Sequence, residues 1–215
     1  HITNFPISSI VKTEKKSTIT IDNTLTGTWN NLSNNLTIIS TQNKILNQNI
    51  SEINTTLYFK ELKLLPFQGT LKLNNTAIPF SGKKADTNTL VINGNKENIP
   101  FSEISTTKPS SIKGKLNLNF TINTPINTSD INQTIRKSSL TLKTKIENTT
   151  LYTLPVKTIQ SNIILQKNKL TITNLEIKNN QQKLNLNGTL INNQPDNLNI
   201  TLDNVPLNAN NPLSQ

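Results

Sequence analysis

Apolar residues alternate with polar residues along most of the chain, and a period of two predicts β-strands with one apolar face. Short polar turns such as Asn74-Asn75 and Asn179-Asn180 separate the alternating stretches. Asn tolerates the left-handed backbone conformations that tight hairpins require. Strands joined by turns this short pair with their neighbours in antiparallel fashion. The pattern therefore predicts an all-β protein folded as an antiparallel meander.

One irregularity in the pattern lies between Ile172 and Leu175, where the apolar spacing is three rather than two. A slip of one residue would turn every later side chain to the opposite face of the sheet. Either the strand ends here, or an extra residue forms a β-bulge that restores the face. We favour a bulge or sharp bend at Thr173-Asn174.

We expect the meander to form a long curved sheet or an open β-groove of jellyroll-like form, with a closed β-sandwich as the alternative. The segment from Pro109 to Gly114 is the best candidate boundary between two lobes. It divides the chain into an N-terminal β lobe, residues 1–108, and a C-terminal β lobe, residues 109–215, unless the two form one continuous sheet. A capping residue and helical apolar spacing predict one short helix from Thr128 to Lys137.

The composition supports an ordered chain with few aromatic residues. Hydrophobic residues make up 33% of the 215 residues, charged residues 16% and aromatic residues 4%. Abundant and periodic Ile, Val and Thr favour strands over disorder. The net charge of +10 attracts anionic surfaces such as phospholipid headgroups or nucleic acid. Because the lysines are scattered and aromatic residues are too few to stack bases, no nucleic-acid partner is expected.

Residues suited to catalysis are sparse. The only histidine is His1 and cysteine is absent, so neither a Ser–His–Asp triad nor a thiolate metal site can form. The 12 acidic residues are scattered singly, without the close spacing of a carboxylate pair or a calcium loop. The 6 glycines form no phosphate-binding loop. The sequence therefore predicts a protein that is not an enzyme and has no cofactor or metal site.

No stretch approaches the roughly eighteen apolar residues that a transmembrane helix needs. We therefore expect no transmembrane helix within this segment. The chain begins with His1 and contains no Met, which suggests a segment of a longer precursor whose membrane anchor lies outside it.

The apolar face has two interpretations. It is the ordinary core of a β-sandwich, or it lines a groove that binds phospholipid or another acyl-chain lipid. Because few aromatic residues are present to fill a wide sandwich centre, we favour the groove. Such a groove would accept acyl chains at about 0.8 kcal/mol per buried methylene. The candidate groove residues are Leu116, Leu118, Phe120, Leu170, Ile172, Leu175, Ile177, Leu184 and Leu186.

Four lysines are candidates for contact with anionic lipid headgroups: Lys143, Lys145, Lys167 and Lys169. The alternative is that they are solvated lysines that block unwanted pairing at strand edges.

The last third of the chain has a recognisable order of strands. Alternating pairs at Ile163 to Leu165, Leu170 to Ile172 and Leu175 to Ile177 precede a polar turn and a Leu-x-Leu-x-Gly-x-Leu stretch, Leu184 to Leu190. In this order the segment from residue 139 to residue 207 resembles the C-terminal β region of AsmA-like envelope proteins. More weakly, Gly27-Thr28-Trp29 is similar to a stretch of the type II secretion protein N.

The AsmA-like resemblance implies an envelope protein of a diderm bacterium that lies in the periplasm and is tethered to the inner membrane by a segment outside this chain. It also implies a role in intermembrane lipid transport or outer-membrane assembly, with other envelope proteins as further partners. The alternative function is that of a structural or interaction β-sandwich module in a secretion apparatus or surface protein, which would pair with its partner through sheet edges.

Overall fold

The computed structural model describes residues 2–6, 18–28, 30–41, 44–45, 48–61, 63–74, 76–100, 103, 112–126, 130–151, 154–167, 169–192 and 194–204. His1, Trp29, Pro109 and Thr128, on which parts of the sequence analysis depend, lie outside the described residues.

Nearly all of the described chain is β-strand. The strands are β1 Ile2–Pro6, β2 Thr18–Thr28, β3 Asn31–Thr41, β4 Lys44–Ile45, β5 Gln48–Lys60, β6 Lys63–Leu64, β7 Phe67–Leu73, β8 Thr76–Lys84, β9 Thr89–Pro100, β10 Ile112–Pro125, β11 Ser139–Leu151, β12 Leu154–Gln166, β13 Lys169–Asn179, β14 Gln182–Ile191 and β15 Gln194–Asp203. Helix α1 spans Ile131–Lys137 and lies within the segment that the sequence predicts to be helical.

The chain forms two compact units. The first, unit 1, comprises residues 1–95 and 103–108, and the second, unit 2, comprises residues 96–102 and 109–215. Strand β9 contributes its first part to unit 1 and its last part to unit 2. The boundary after residue 108 is thus one of the points at which the chain passes from one unit to the other.

The sheet of unit 1 follows the order β1-β2-β3-β5-β7-β8-β9, and the short strands β4 and β6 pair with β5. Every pair with a described register is antiparallel. Two aromatic rings cover glycines on the neighbouring strand, since a Cβ at Gly69 or Gly82 would overlap the ring of Phe80 or Phe67. Phe67 and Ile78 are buried and form the core here.

The sheet of unit 2 follows the order β9-β10-β11-β12-β13-β14-β15, and the described pairs from β10 onward are antiparallel. Helix α1 connects β10 to β11, and the hydroxyl of Ser138 donates a hydrogen bond of 2.7 Å to that of Thr124 at the end of β10. Arg136 and Lys137 in the last turn of α1 interact favourably with the negative end of the helix dipole. The buried apolar residues are Ile99, Leu116, Leu118, Phe120, Ile146 and Val156.

The predicted antiparallel meander is confirmed. Asn74 and Asn180 take positive φ angles of 50° and 47° in the turns that the sequence assigns to them. The predicted bulge is also confirmed, because the register of β13 shifts between Ile172 and Leu175 against β14. Among the described residues, β15 pairs with β14 alone and β1 with β2 alone. Within the described ranges, the sheet of each unit therefore has one strand that pairs on one side alone.

Candidate functional site

The strand register of unit 2 brings its alternating apolar residues into line across six strands. Residues directly opposite each other in a sheet point to the same face. We call the resulting surface, from β10 to β15, the apolar face. Its four rows are Ile122, Leu140, Leu165, Leu170, Leu190 and Pro195; Phe120, Leu142, Ile163, Ile172, Gly188 and Leu198; Leu118, Thr144, Ser161, Leu175, Leu186 and Ile200; and Leu116, Ile146, Ile159, Ile177, Leu184 and Leu202.

All nine groove residues that the sequence nominates belong to these rows. Apart from Gly188, Pro195, Thr144 and Ser161, every position is Leu, Ile or Phe. With strands about 4.8 Å apart and a rise of about 3.3 Å per residue, the face measures roughly 24 Å across the strands and 20 Å along them. An apolar area of several hundred Å² is typical of the largest patches on soluble proteins, which are often functional.

Burial of the apolar face decreases from one side of the sheet to the other. On β10, Leu118 and Phe120 are only 7% and 6% exposed. None of the apolar-face residues of β12, β13 or β14 is buried; all are half-buried. On β15, Leu198 is 38% and Ile200 is 63% exposed. The β10 side is therefore packed as a core, whereas the β15 side is open.

Two local irregularities keep the apolar residues on one face. At the bulge, Thr173 is the extra residue, and its hydroxyl donates a hydrogen bond of 2.9 Å to the carbonyl oxygen of Asn162 on β12. A second register shift, between Thr189 and Leu190, places Pro195 and Leu198 of β15 on the same face although their spacing is three. The bulged strands can therefore extend the face without turning their Leu and Ile side chains to the other side.

The opposite face of the same strands is mostly polar, although Ile164 and Ile191 also lie on it. The amide of Gln160 on β12 donates a hydrogen bond of 3.0 Å to Oε1 of Glu176 on β13. Lys183 Nζ on β14 lies 2.6 Å from Oε2 of the same carboxylate. Lys145 Nζ and Glu147 Oε1 form a further ion pair of 2.6 Å on β11. The two faces of this sheet thus differ in chemistry, one aliphatic and the other mostly polar.

The four candidate lysines do not lie together. Lys143 and Lys145 stand opposite Asn162 and Gln160, on the polar face. Lys167 forms the turn between β12 and β13, with φ of 55°, and Lys169 begins β13 beside the row that contains Leu170. Because Lys169 precedes Leu170, it shares the polar face with Thr171. Only Lys167, in the turn at the end of the strands, is therefore not placed on the polar face by the register.

Sequence analysis did not single out Thr144 and Ser161. Their hydroxyl oxygens are 2.7 Å apart and hydrogen-bonded to each other across β11 and β12. They interrupt a row that is otherwise apolar from Leu118 to Ile200. The only sequence signal is that Thr144 continues the alternation of Leu140 and Leu142, which reveals its face but not its partner.

Unit 1 has a less continuous apolar surface. One of its cross-strand rows is wholly aliphatic, from Ile21 to Ile78. Polar or small residues interrupt other rows, as where Leu36 pairs with Thr55 and Thr55 with Gly69. Asn34 lies between Leu25 and Leu57 in another row. For this reason the apolar face of unit 2 is the stronger candidate site.

Ionisable groups provide no comparable site. Within the described ranges, no three His, Cys, Asp or Glu residues are grouped closely enough to hold a metal ion. The backbone amide of Asn88 donates a hydrogen bond of 2.7 Å to Asp86 in the β8–β9 turn, and this bond lowers the pKa of that carboxyl. No helix in the described part of the chain is long and apolar enough to span a bilayer.

Comparison with known proteins returns no match to this chain among family models, curated proteins or solved structures.

Proposed function

We propose that this chain is a non-enzymatic lipid-binding module whose apolar face in unit 2 binds the acyl chains of phospholipids. The observation that carries the proposal is the strand register, which brings Leu and Ile residues of six strands onto one face. The residues of that face on β12, β13 and β14 are only half-buried. Each methylene that such a surface removes from water contributes about 0.8 kcal/mol. Aliphatic side chains are well suited to this task because they contact hydrocarbon without competing for hydrogen bonds.

Charge favours an anionic phospholipid. The chain carries a net charge of +10, which raises the local concentration of anionic ligands. Lys167 lies in the turn at the end of the apolar face, next to the row that contains Leu165 and Leu170. We assign headgroup contact to Lys167 rather than to Lys143, Lys145 and Lys169, which lie on the polar face.

The cellular role that we propose is intermembrane lipid transport or outer-membrane assembly in the periplasm, with a tether to the inner membrane. Support for this part of the proposal comes from the resemblance of residues 139–207 to AsmA-like proteins. The alignment of Leu184, Leu186, Gly188 and Leu190 on β14 with the apolar rows agrees with that resemblance.

Native mass spectrometry of the purified chain tests the proposed binding. After addition of dioleoyl phosphatidylglycerol, we expect complexes whose mass exceeds that of the chain by one or more lipid molecules. Spectra that contain the bare chain alone, at lipid concentrations that load a known lipid-binding protein measured in parallel, would contradict the proposal.

One observation favours a second function, that of an interaction module. Strand β15 pairs with β14 alone among the described residues, and its exposed Leu198 and Ile200 would continue the apolar rows onto an added strand. Strand addition at such an edge is a common mode of peptide recognition. A chain that binds no lipid but forms a concentration-dependent dimer, which Ile200→Lys converts to a monomer, would support this second function instead.

A further inference from the structure

A single polar pair lies within the apolar face. Thr144 on β11 and Ser161 on β12 are directly opposite each other, and their hydroxyl oxygens are 2.7 Å apart. In their own row the pair is followed by Leu118 on one side and Leu175 on the other. In the two adjacent rows of the same strands, the pairs beside Thr144 and Ser161 are apolar: Leu142 with Ile163, and Ile146 with Ile159.

The hydroxyls of this pair have hydrogen-bonding capacity that the fold does not use. Each hydroxyl provides one donor and two acceptor positions. Their mutual bond uses one donor and one acceptor, and no other partner for either hydroxyl lies among the described residues. One O–H donor is therefore left in surroundings that are otherwise hydrocarbon. When a ligand covers the face and excludes water, this donor requires an acceptor, because an unsatisfied buried donor destabilises the complex.

We propose that the Thr144–Ser161 pair is a specificity site that donates a hydrogen bond to an ester carbonyl of the bound lipid. The inference rests on the proposed lipid-binding function and adds the class of lipid: acyl esters are preferred over ether-linked lipids and plain hydrocarbons. An ester carbonyl is an acceptor without a donor, so it matches the one unused O–H and adds no unsatisfied group of its own. An ether-linked chain has no carbonyl to offer and would leave the O–H unpaired.

The inference predicts discrimination between two lipids that differ only in this carbonyl. The probes are diheptanoyl phosphatidylglycerol and the dialkyl ether phosphatidylglycerol of matched chain length, each titrated calorimetrically as a monomer into the whole 215-residue chain. They share headgroup and apolar tail, so the apolar face and the lysines act on both alike. We expect the ester lipid to bind about three- to tenfold more tightly, as one hydrogen bond provides.

The double variant Thr144→Val/Ser161→Ala removes both hydroxyls and retains side chains that strands accept. We expect it to bind both lipids with equal affinity. The matched control is Thr171→Val, on the neighbouring strand β13 but on the polar face, where Thr171 stands opposite Ile164. This control should keep the ester preference. Circular dichroism and thermal melting of each variant establish that the fold is retained.

The possible outcomes distinguish failure of the ester site from failure of the proposed lipid binding. Equal binding of ester and ether lipids by the unchanged chain would overturn the ester site while leaving acyl-chain binding in place. An ester preference that survives in the double variant would overturn it too. If neither lipid binds, both the proposed function and this inference fail. Loss of the preference in the double variant alone, with ether binding maintained, supports the site.

Discussion

Ile172 on β13 and Gly188 on β14 stand directly opposite each other in the middle of the apolar face. Gly188 has a φ of 148°, which side chains rarely permit, and a Cβ at this position would overlap the carbonyl oxygen of Asn197 on β15. The glycine thus allows three strands to meet closely just before the bulge of β13. The side chain of Leu198 packs against this glycine, since its Cδ2 lies 2.8 Å from the place that a Cβ would take.

Replacement of this glycine should destabilise unit 2. Gly188→Ala introduces both an unfavourable backbone conformation and a clash with backbone of β15, and we expect a loss of about 1–3 kcal/mol in the free energy of unfolding. Urea denaturation measures this change. The adjacent, exposed Asn187→Ala is the control and should change stability by less than about 0.5 kcal/mol. Equal effects of the two substitutions would contradict the close approach at Gly188.

The bulge in β13 makes an unusual prediction about deletions. Thr173 is the extra residue, since Ile163 and Asn162 on β12 pair with Ile172 and Asn174. Its deletion leaves regular alternation between Ile172 and Leu175, so the apolar face is maintained. We expect the Thr173 deletion to fold and to cost about 0.5–1.5 kcal/mol, chiefly through loss of its hydrogen bond to Asn162.

Deletion of Thr171, two positions earlier, serves as the comparison. It makes Leu170 and Ile172 adjacent, so one of them must turn to the polar face. We expect this variant to be much less stable than the Thr173 deletion in the same urea titration. A Thr171 deletion as stable as the Thr173 deletion would show that the register of β13 is not fixed by its apolar residues.

A charge on the open side of the apolar face should weaken lipid binding without unfolding the chain. Ile200 is 63% exposed, so Ile200→Asp should alter the free energy of unfolding by less than about 0.5 kcal/mol. The carboxylate would nonetheless meet hydrocarbon in the complex, and we expect at least about a tenfold loss of affinity for phosphatidylglycerol in calorimetric titration. Thr201→Asp carries the same charge on the polar face and should bind normally.

The headgroup assignment predicts that the affinity for anionic lipid depends more on where a lysine lies than on the net charge of the protein. Lys167→Glu should weaken binding of anionic phosphatidylglycerol and have little effect on zwitterionic phosphatidylcholine, because it removes attraction at one end of the apolar face. Added salt should reduce the difference between the variant and the unchanged chain.

The control for this experiment is Lys143→Glu, which changes the net charge by the same amount on the polar face. We expect it to retain most of the affinity for phosphatidylglycerol. If the two variants lose affinity equally, the lysines act only through the overall field of the protein.

Much of this sheet could be predicted from the sequence because a strand has a side-chain period of two. The alternation identified the strands, and the spacing of three between Ile172 and Leu175 identified the bulge. The same alternation also indicates that Lys143 and Lys145 lie on the face opposite Leu142, although the sequence analysis grouped them with lysines near the groove. Counting alternate positions from Leu142 would have placed these two lysines on the polar face, away from the candidate groove.

Other features could not be predicted because they depend on contacts between distant strands. Thr144 and Ser161 are separated by 17 positions, and only the β11–β12 register brings their hydroxyls together. The gradient of burial from Phe120 to Ile200 depends on which residues pack over each strand, and alternation gives no information on this. The scarcity of aromatic residues favoured an open face, but the exposure of each strand of that face follows only from the folded chain.

Photo-crosslinking from two adjacent residues tests the central claim most directly. Leu186 and Asn185 are both half-buried neighbours on β14, but their side chains point to opposite faces. A benzophenone amino acid is introduced at one position or the other, and each protein is irradiated with fluorescent phosphatidylglycerol. Lipid-binding by the apolar face predicts strong labelling from position 186 and background labelling from position 185. Equal labelling from both positions, or stronger labelling from 185, would contradict it.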